Sequence, residues 1–144
     1  MQYLPARIVF LSLLLLSSLV GCGPKKAELF PVRGELFYQG KAPQGAIVQF
    51  RPVTNADKPW PSGYPRGEVQ ADGSFDIGTE TSNDGAPAGD YIITVTWIVA
   101  PPGSDDPESA TVDQMQGKYR DPSKSTLKAT VSPPKTLLPR IDLN

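Results

Sequence analysis

Histidine is absent from this chain of 144 residues, and cysteine occurs only once, at Cys22. The lack of histidine excludes Ser-His-Asp and Cys-His nucleophile pairs, an imidazole general base and histidine-ligated zinc. A single cysteine excludes a disulfide within the chain, so a domain of this size has to depend on its hydrophobic core. Several common hydrolase and zinc-enzyme chemistries are therefore excluded.

An excess of charge of either sign is also missing, since 14 lysines and arginines face 15 aspartates and glutamates, for a net charge of −1. Such a chain offers no basic surface, and we expect no nucleic-acid partner. Proline and glycine are plentiful, at 16 and 13 residues. Because proline inside a helix removes a hydrogen bond and clashes with the preceding turn, this composition excludes a helical bundle. The length suits one domain rather than two.

The amino-terminal segment combines one positive charge with a short apolar run. Arg7 is the only charged residue before Lys25, and residues 8–20 are apolar apart from serines. A helix that crosses a bilayer needs roughly 20 apolar residues, so this run is too short to be a membrane span. A basic start followed by a short apolar run is typical of a secretory signal peptide.

This segment ends in Leu19-Val20-Gly21-Cys22, which resembles the lipobox of bacterial lipoproteins. The resemblance implies cleavage before Cys22, a diacylglyceryl thioether on its sulfur and acylation of the new amino terminus. Several acyl chains together anchor a protein stably, whereas one holds it only marginally. The chain would then divide into a signal peptide (1–21), a lipidated cysteine with a short tether (22–28) and one domain (29–144). The alternative is an ordinary signal peptide followed by a coincidental cysteine.

The lipoprotein resemblance also indicates a location. In two-membrane bacteria, an aspartate directly after the lipidated cysteine tends to retain lipoproteins at the inner membrane, and Gly23 stands there instead. We therefore expect a lipid-anchored protein of the cell envelope, at the outer membrane, facing the periplasm or the cell surface. The membrane is then its first partner, reached through the lipid on Cys22.

Beyond Leu29 apolar and polar residues alternate, which is typical of strands with one buried face. The longest such segment, DYIITVTWIVA at residues 90–100, is rich in β-branched residues and suits a largely buried strand. We expect the following side chains to face the interior: Ala46, Val48 and Phe50; Tyr91, Ile93, Val95, Trp97 and Val99; Leu127, Ala129 and Val131; Ile141 and Leu143.

Turn residues separate these segments. Asp72-Gly73 predicts a two-residue type I′ hairpin turn between Val69 and Phe75, and Gln39-Gly40 predicts another turn after a strand at 32–38. Gly34 lies within that strand, where a glycine indicates a bulge or the close approach of another element. About seven short strands at this spacing predict an antiparallel β-sandwich.

One stretch is open to two interpretations. Asp106 can cap a helix whose first residue is Pro107 and which ends before Gly117, with Val112 and Met115 on its apolar side. This interpretation places a helix at 107–116, and the alternative is a coil at the rim of the sandwich.

Three segments, in this order, are similar to carboxypeptidase-regulatory-like, or transthyretin-like, domains. They are PVRGELFYQGKAPQGAIVQFRPV, ADGSFDI and APAGDYIITVTW, and together they cover Pro31 to about Thr96. The resemblance implies a single all-β, antiparallel Greek-key sandwich. One enzyme with this fold, the hydrolase of hydroxyisourate, builds its site from histidines, which this chain lacks, so the resemblance implies the fold and not that activity.

The candidate functional residues lie in loops. The loop from Arg51 to Gly67 carries Trp60 and Tyr64 among four prolines, and aromatics in such a loop are typical of a surface that binds a protein or stacks on a sugar. The alternative is that Trp60 folds back and caps the sandwich. Asn83-Asp84-Gly85 and Asp105-Asp106 are possible fragments of a calcium site, although turn formation explains these residues better.

We therefore expect a non-enzymatic envelope module with a structural role or a protein- or glycan-binding role. Cys22 is the one residue with an assigned chemical role, and no catalytic residue, cofactor or metal ligand is assigned. The alternative is an envelope hydrolase that uses carboxylates, such as Asp105 and Glu108, for acid–base work. An enzyme requires a concave site with convergent acids, whereas a binding module requires an exposed apolar patch, expected around Trp60 and Tyr64.

Overall fold

The computed structural model describes residues 27–54, 63–99, 103 and 112–144, and within these residues the protein is all-β, with no helix. The predicted signal peptide, Cys22 and Trp60 lie outside the described residues. The described strands are β1 (Leu29–Phe30), β2 (Val32–Tyr38), β3 (Ile47–Pro52), β4 (Arg66–Glu68), β5 (Ser74–Asp76), β6 (Ala86–Pro87), β7 (Gly89–Thr96), β8 (Ile98–Val99), β9 (Val112–Asp113), β10 (Lys128–Val131), β11 (Thr136–Leu137) and β12 (Ile141–Leu143). Several are only two or three residues long, which is why they outnumber the seven expected.

The first sheet has the order β10-β7-β3-β4 and is antiparallel throughout. The predicted inward face of β7 is confirmed, since Tyr91, Ile93 and Val95 are each no more than 2% exposed. Thr94, on the other face, is also buried, so the strand is largely buried on both faces as expected. The strand ends at Thr96 rather than at residue 100, because the carboxylate of Asp113 accepts a hydrogen bond from the Trp97 amide at 3.2 Å and draws the chain away. The chain continues as β8, which pairs only with β9 within the described residues.

The second sheet is built around β2, and here the expectation of a wholly antiparallel fold is wrong. β5 pairs with one edge of β2 in the antiparallel sense. β11 and β12 both pair with the other edge in the parallel sense. After β10 the chain returns to the point where β2 begins and then follows β2 in the same direction. Pro139, which lacks an amide hydrogen, lies in the interruption between β11 and β12.

The inner faces of the two sheets share one hydrophobic core, so the fold is sandwich-like. Its largest fully buried side chains are Phe50, Phe75, Leu36, Ile77, Ile93 and Met115. The close approach indicated by Gly34 is confirmed, because its cross-strand partner is Phe75 and an added Cβ would overlap the phenyl ring. A glycine in the middle of β2 therefore makes room for a core aromatic ring.

The two predicted turns differ in type. Gln39 and Gly40 have φ values of 50° and 76°, so the type I′ geometry occurs there. The type I′ prediction for Asp72-Gly73 is wrong, because only Gly73 has a positive φ, of 87°. The Gly73 amide donates to the Gln70 carbonyl at 2.9 Å, and the Asp72 carboxylate accepts the Ser74 amide at 2.9 Å. This turn therefore closes with a glycine bulge at Gly73, while Asp72 has no positive φ and its side chain accepts a hydrogen bond from the backbone.

The proposed helix at 107–116 is wrong over the residues that the structure describes. Val112 and Asp113 form β9, and residues 114–120 are turns. The Asp113 carboxylate accepts the amides of Met115 and Gly117 at 3.0 and 2.9 Å, which bends the chain back on itself. Met115 is nevertheless apolar and inward as predicted, at 1% exposed. Residues 107–111 lie outside the described part of the chain.

Candidate binding groove

An open groove runs beside β4, the edge strand of the first sheet. It has two lobes, with volumes of about 540 and 260 Å³, which share Arg66 and Ser82. The larger lobe is lined by Ile47, Arg66, Gly67, Glu68, Gln70, Asp76, Ser82 and Asn83. The smaller lobe is lined by Tyr64, Arg66, Gly78, Thr79, Glu80, Thr81 and Ser82. We call these two lobes together the β4 groove.

The backbone of β4 is fixed on both of its edges, which holds the groove open. One edge pairs with β3, and on the other edge the Arg66 and Gly78 backbones exchange two hydrogen bonds of 2.9 Å. A Cβ on Gly67 would overlap the Asp76 carbonyl, so β4 and β5 approach closely at this point. The side chains of Arg66 and Glu68, which alternate with buried Gly67, therefore project from the exposed face.

One wall of the groove is the loop from Gly78 to Gly85, and Asp84 organises it. The carboxylate of Asp84 accepts the amides of Thr79, Thr81 and Glu80 at 2.6, 2.8 and 3.2 Å. Burial acts to raise the pKa of Asp84, but these three donors outweigh it and hold the pKa below its usual value. Asp84 is thus an ionised carboxylate that shapes the loop.

The lining of the groove is polar and carries both signs of charge. Arg66 supplies a guanidinium, Glu68 and Asp76 supply carboxylates, and Gln70 and Asn83 supply amides. Asp76 also meets Arg33 at 4.0 Å, with both side chains well exposed, so this pair contributes little to stability. The lining therefore provides both donors and acceptors, which suits a ligand rich in hydroxyl groups or amides.

Tyr64, one of the two residues predicted for a binding loop, borders the smaller lobe. The Arg51 guanidinium lies 4.2 Å from the centre of the Tyr64 ring, and Arg51 Nε donates to the Gln49 side-chain oxygen at 3.1 Å. The cation over one face of the ring fixes the orientation of the tyrosine. A binding role for Trp60 and Tyr64 stays a prediction, and Trp60 lies outside the described residues.

The acids singled out in the sequence do not form a metal site in the described part of the chain, where no group of three or more Asp, Glu, Cys or His side chains lies together. The Asp84 carboxylate is committed to backbone amides, while Asp105, Asp106 and Glu108 lie outside the described residues. The carboxylates of Glu68 and Asp76 come from different strands; Glu68 was not predicted as a site residue, and Asp76 was considered only among the acids in or near turns. The outward position of Glu68 in the alternation of β4 was the signal that could have indicated it.

Among the described residues, an exposed apolar patch lies on the β8–β9 ribbon. On the ribbon of β8 and β9, Ile98, Val99 and Val112 are 52%, 40% and 55% exposed. The prediction that Val99 faces the interior is therefore wrong, because the chain leaves the sheet at Trp97. Trp97 itself is half-buried at the edge of the core, donates from Nε1 to the Gln44 carbonyl at 3.0 Å and meets Tyr38 edge to face.

Comparisons with known proteins leave the chain without an assigned family, since no protein-family model matches it and no curated protein does either. Within the part of the chain that the structure describes, no helix has the length and apolar character needed to cross a membrane.

Proposed function

We propose that this protein is a lipid-anchored module of a bacterial cell envelope that binds an envelope glycan without converting it. The lipobox-like sequence that ends at Cys22 supports the anchor, and Gly23 favours the outer membrane. The two sheets around one core support a transthyretin-like Greek-key sandwich as the domain fold. The observation that carries the binding role is the open, polar β4 groove.

A glycan fits the groove by its chemistry. Sugar hydroxyls need both donors and acceptors, and Arg66, Glu68, Gln70 and Asn83 provide them along one face. Tyr64 adds an aromatic surface at one end of the groove. An open groove rather than a closed cavity suits a polymer, which can enter and leave at both ends.

Co-sedimentation with isolated cell-wall and surface polysaccharides tests this binding role. We expect the wild-type protein to sediment with one of these polymers and Arg66→Ala to weaken this association by about tenfold, since a charge-assisted hydrogen bond contributes about 1.5 kcal/mol or more. Lys128→Ala, which removes an exposed cation from β10, is the matched control and should bind like the wild type. Equal binding by both variants, or no binding to any polymer, contradicts the proposal.

A carboxylate-based hydrolase is the second candidate, and the presence of Glu68 and Asp76 in the same groove favours it. Two carboxylates can act as acid and base on a bond held between them. Prolonged incubation of the sedimented polymer with the protein distinguishes the two functions. Release of soluble fragments that is abolished by Glu68→Gln establishes the hydrolase, whereas an intact polymer establishes a binding module.

The anchor is tested separately, by fractionation of cells that express Cys22→Ser. We expect the wild type in the membrane fraction and the variant in the soluble envelope fraction, because the thioether requires the sulfur. A Cys22→Ser protein that still sediments with membranes shows that the lipoprotein interpretation is wrong.

A further inference from the structure

The strand register places several segments at one end of the domain. β1 pairs with β6 directly before β7 begins, and β10 ends opposite the first residue of β7. The Val53 amide, just after β3, donates to the Asp90 carbonyl at 2.9 Å. The Thr136 amide donates to the Pro31 carbonyl at 2.9 Å, so the connection at 132–135 lies there too. We call this the β1 end, made of Leu29–Phe30, Val53 and residues 132–135.

The opposite end of the domain carries the exposed aliphatic ribbon. β7 ends next to β8 and β9, and the Trp97 ring lies 6.3 Å from the Tyr38 ring at the end of β2. Ile98, Val99 and Val112 are the exposed aliphatic side chains of this ribbon. We call this the ribbon end. The length of β2 therefore separates the two ends.

The tether decides which end can meet a membrane. Residues 23–28 connect Cys22 to β1, and six residues reach about 20 Å when fully extended. The seven residues of β2 also span about 20 Å, so the tether would have to lie fully stretched along the whole domain to bring the ribbon end to the lipid. Such stretching costs conformational entropy that the opposite orientation avoids.

We infer that the β1 end lies against the lipid headgroups and that the ribbon end points away from the membrane. This orientation rests on the proposed lipid anchor at Cys22. The geometry of the attachment selects the lipid surface as the occupant of the β1 end.

The chemistry of the β1 end is compatible with headgroups but too weak to bind them alone. Val53 is 52% exposed and Lys135 is exposed, which offers one apolar and one cationic contact. A single cation near an anionic surface provides only a weak attraction. Glu28 and Asp90 are exposed acids at the same end and offset this attraction. The proposed anchor therefore provides the affinity for the membrane, and the attachment of the tether at the β1 end determines that this end faces the lipid.

Quenching by headgroup nitroxides tests the orientation with a matched pair of sites, because Val53 and Ile98 are both 52% exposed. Lipidated Val53→Cys and Ile98→Cys proteins are labelled with bimane and reconstituted in phosphatidylethanolamine–phosphatidylglycerol vesicles that contain a headgroup-nitroxide lipid. We expect bimane at position 53 to lose most of its emission and bimane at position 98 to keep most of it. Equal quenching, or stronger quenching at position 98, overturns the orientation.

The stoichiometry of labelling separates this inference from the anchor itself. A thioether at Cys22 consumes its sulfur, so each lipidated variant has one reactive thiol and floats with vesicles. Two labels per chain and no flotation overturn the anchor and the orientation together. One label per chain, flotation and equal quenching overturn the orientation alone.

Discussion

At the scale of single residues, the contact between Gly34 and Phe75 is the tightest constraint that the sequence indicated. Phe75 is fully buried, and its ring occupies the space that a Cβ on Gly34 would need. Inserting a methyl group into a filled core forces rotamers or backbone to shift. We expect Gly34→Ala to lower the free energy of unfolding by about 1–3 kcal/mol, measured by urea denaturation.

The matched control is Glu35→Ala, which changes an exposed side chain at the next position of β2 and should alter stability by less than about 0.5 kcal/mol. Adding Phe75→Leu to Gly34→Ala should cost less than the sum of the two single changes, because leucine leaves room for the new methyl group. Wild-type stability for Gly34→Ala would contradict the described packing.

Asp84 gives a prediction about pH. Its pKa is held below the usual value in the folded state, so its stabilising contribution is present at pH values above the ordinary aspartate pKa and disappears as the pH falls through the lowered value. We expect Asp84→Asn to cost about 1 kcal/mol at neutral pH, near the low end for charge-assisted hydrogen bonds because the group is partly exposed.

Urea denaturation at a series of pH values checks this prediction. The difference between wild type and Asp84→Asn should shrink as the pH falls below about 4, because the wild-type carboxyl then becomes protonated too. Glu35→Gln controls for the loss of one negative charge at an exposed position. A stability difference that does not depend on pH would show that Asp84 acts through its shape alone.

At the scale of secondary-structure elements, β12 is the strand whose contribution is easiest to isolate. Leu143 is 3% exposed, and its carbonyl accepts the Gln39 amide at 2.8 Å. Leu137, on the neighbouring β11, is 68% exposed. We expect Leu143→Ala to cost about 2–4 kcal/mol in unfolding free energy and Leu137→Ala to cost less than about 0.5 kcal/mol. Similar costs for both would contradict the assignment of β12 to the core.

The elements also show what local patterns can and cannot predict. The bounds of β2 and the inward side chains of β10 and β12 follow from alternation, because burial of one face imposes a period of two. The parallel pairing of β12 with β2 was not predictable in this way, since alternation does not depend on strand direction. The helix predicted at 107–116 does not form over the described residues, because the Asp113 carboxylate accepts the amides of Trp97, Met115 and Gly117. A sequence pattern of helix caps does not reveal hydrogen bonds of this kind.

The candidate site was predictable only in part, because local sequence patterns do not show which strands lie next to each other. Tyr64 was identified from its loop, and the structure places it beside the β4 groove. Arg66 and Glu68 were not predicted as site residues, and Asp76 was considered only as a turn acid, because their proximity arises from the close approach of β4 and β5, which belong to different sheets. Alternation could have indicated the outward position of Glu68, but local patterns do not show which segments long-range pairing brings together.

At the scale of the whole molecule, we propose a lipid anchor at Cys22 attached to one all-β domain. None of the residues that line the β4 groove belongs to the β1 end, to which the proposed tether connects. An anchor at Cys22 would therefore leave the groove open to ligands that run beside the membrane. The proposed location and orientation of this protein depend on that anchor, whereas ligand binding in the β4 groove does not.

Intact-mass spectrometry of the protein purified from native membranes tests the anchor most directly. We expect a chain that begins at Cys22 and carries the added mass of a diacylglyceryl group and one further acyl chain, with no free thiol. A chain that retains residues 1–21, or one whose Cys22 sulfur is unmodified, would contradict the account.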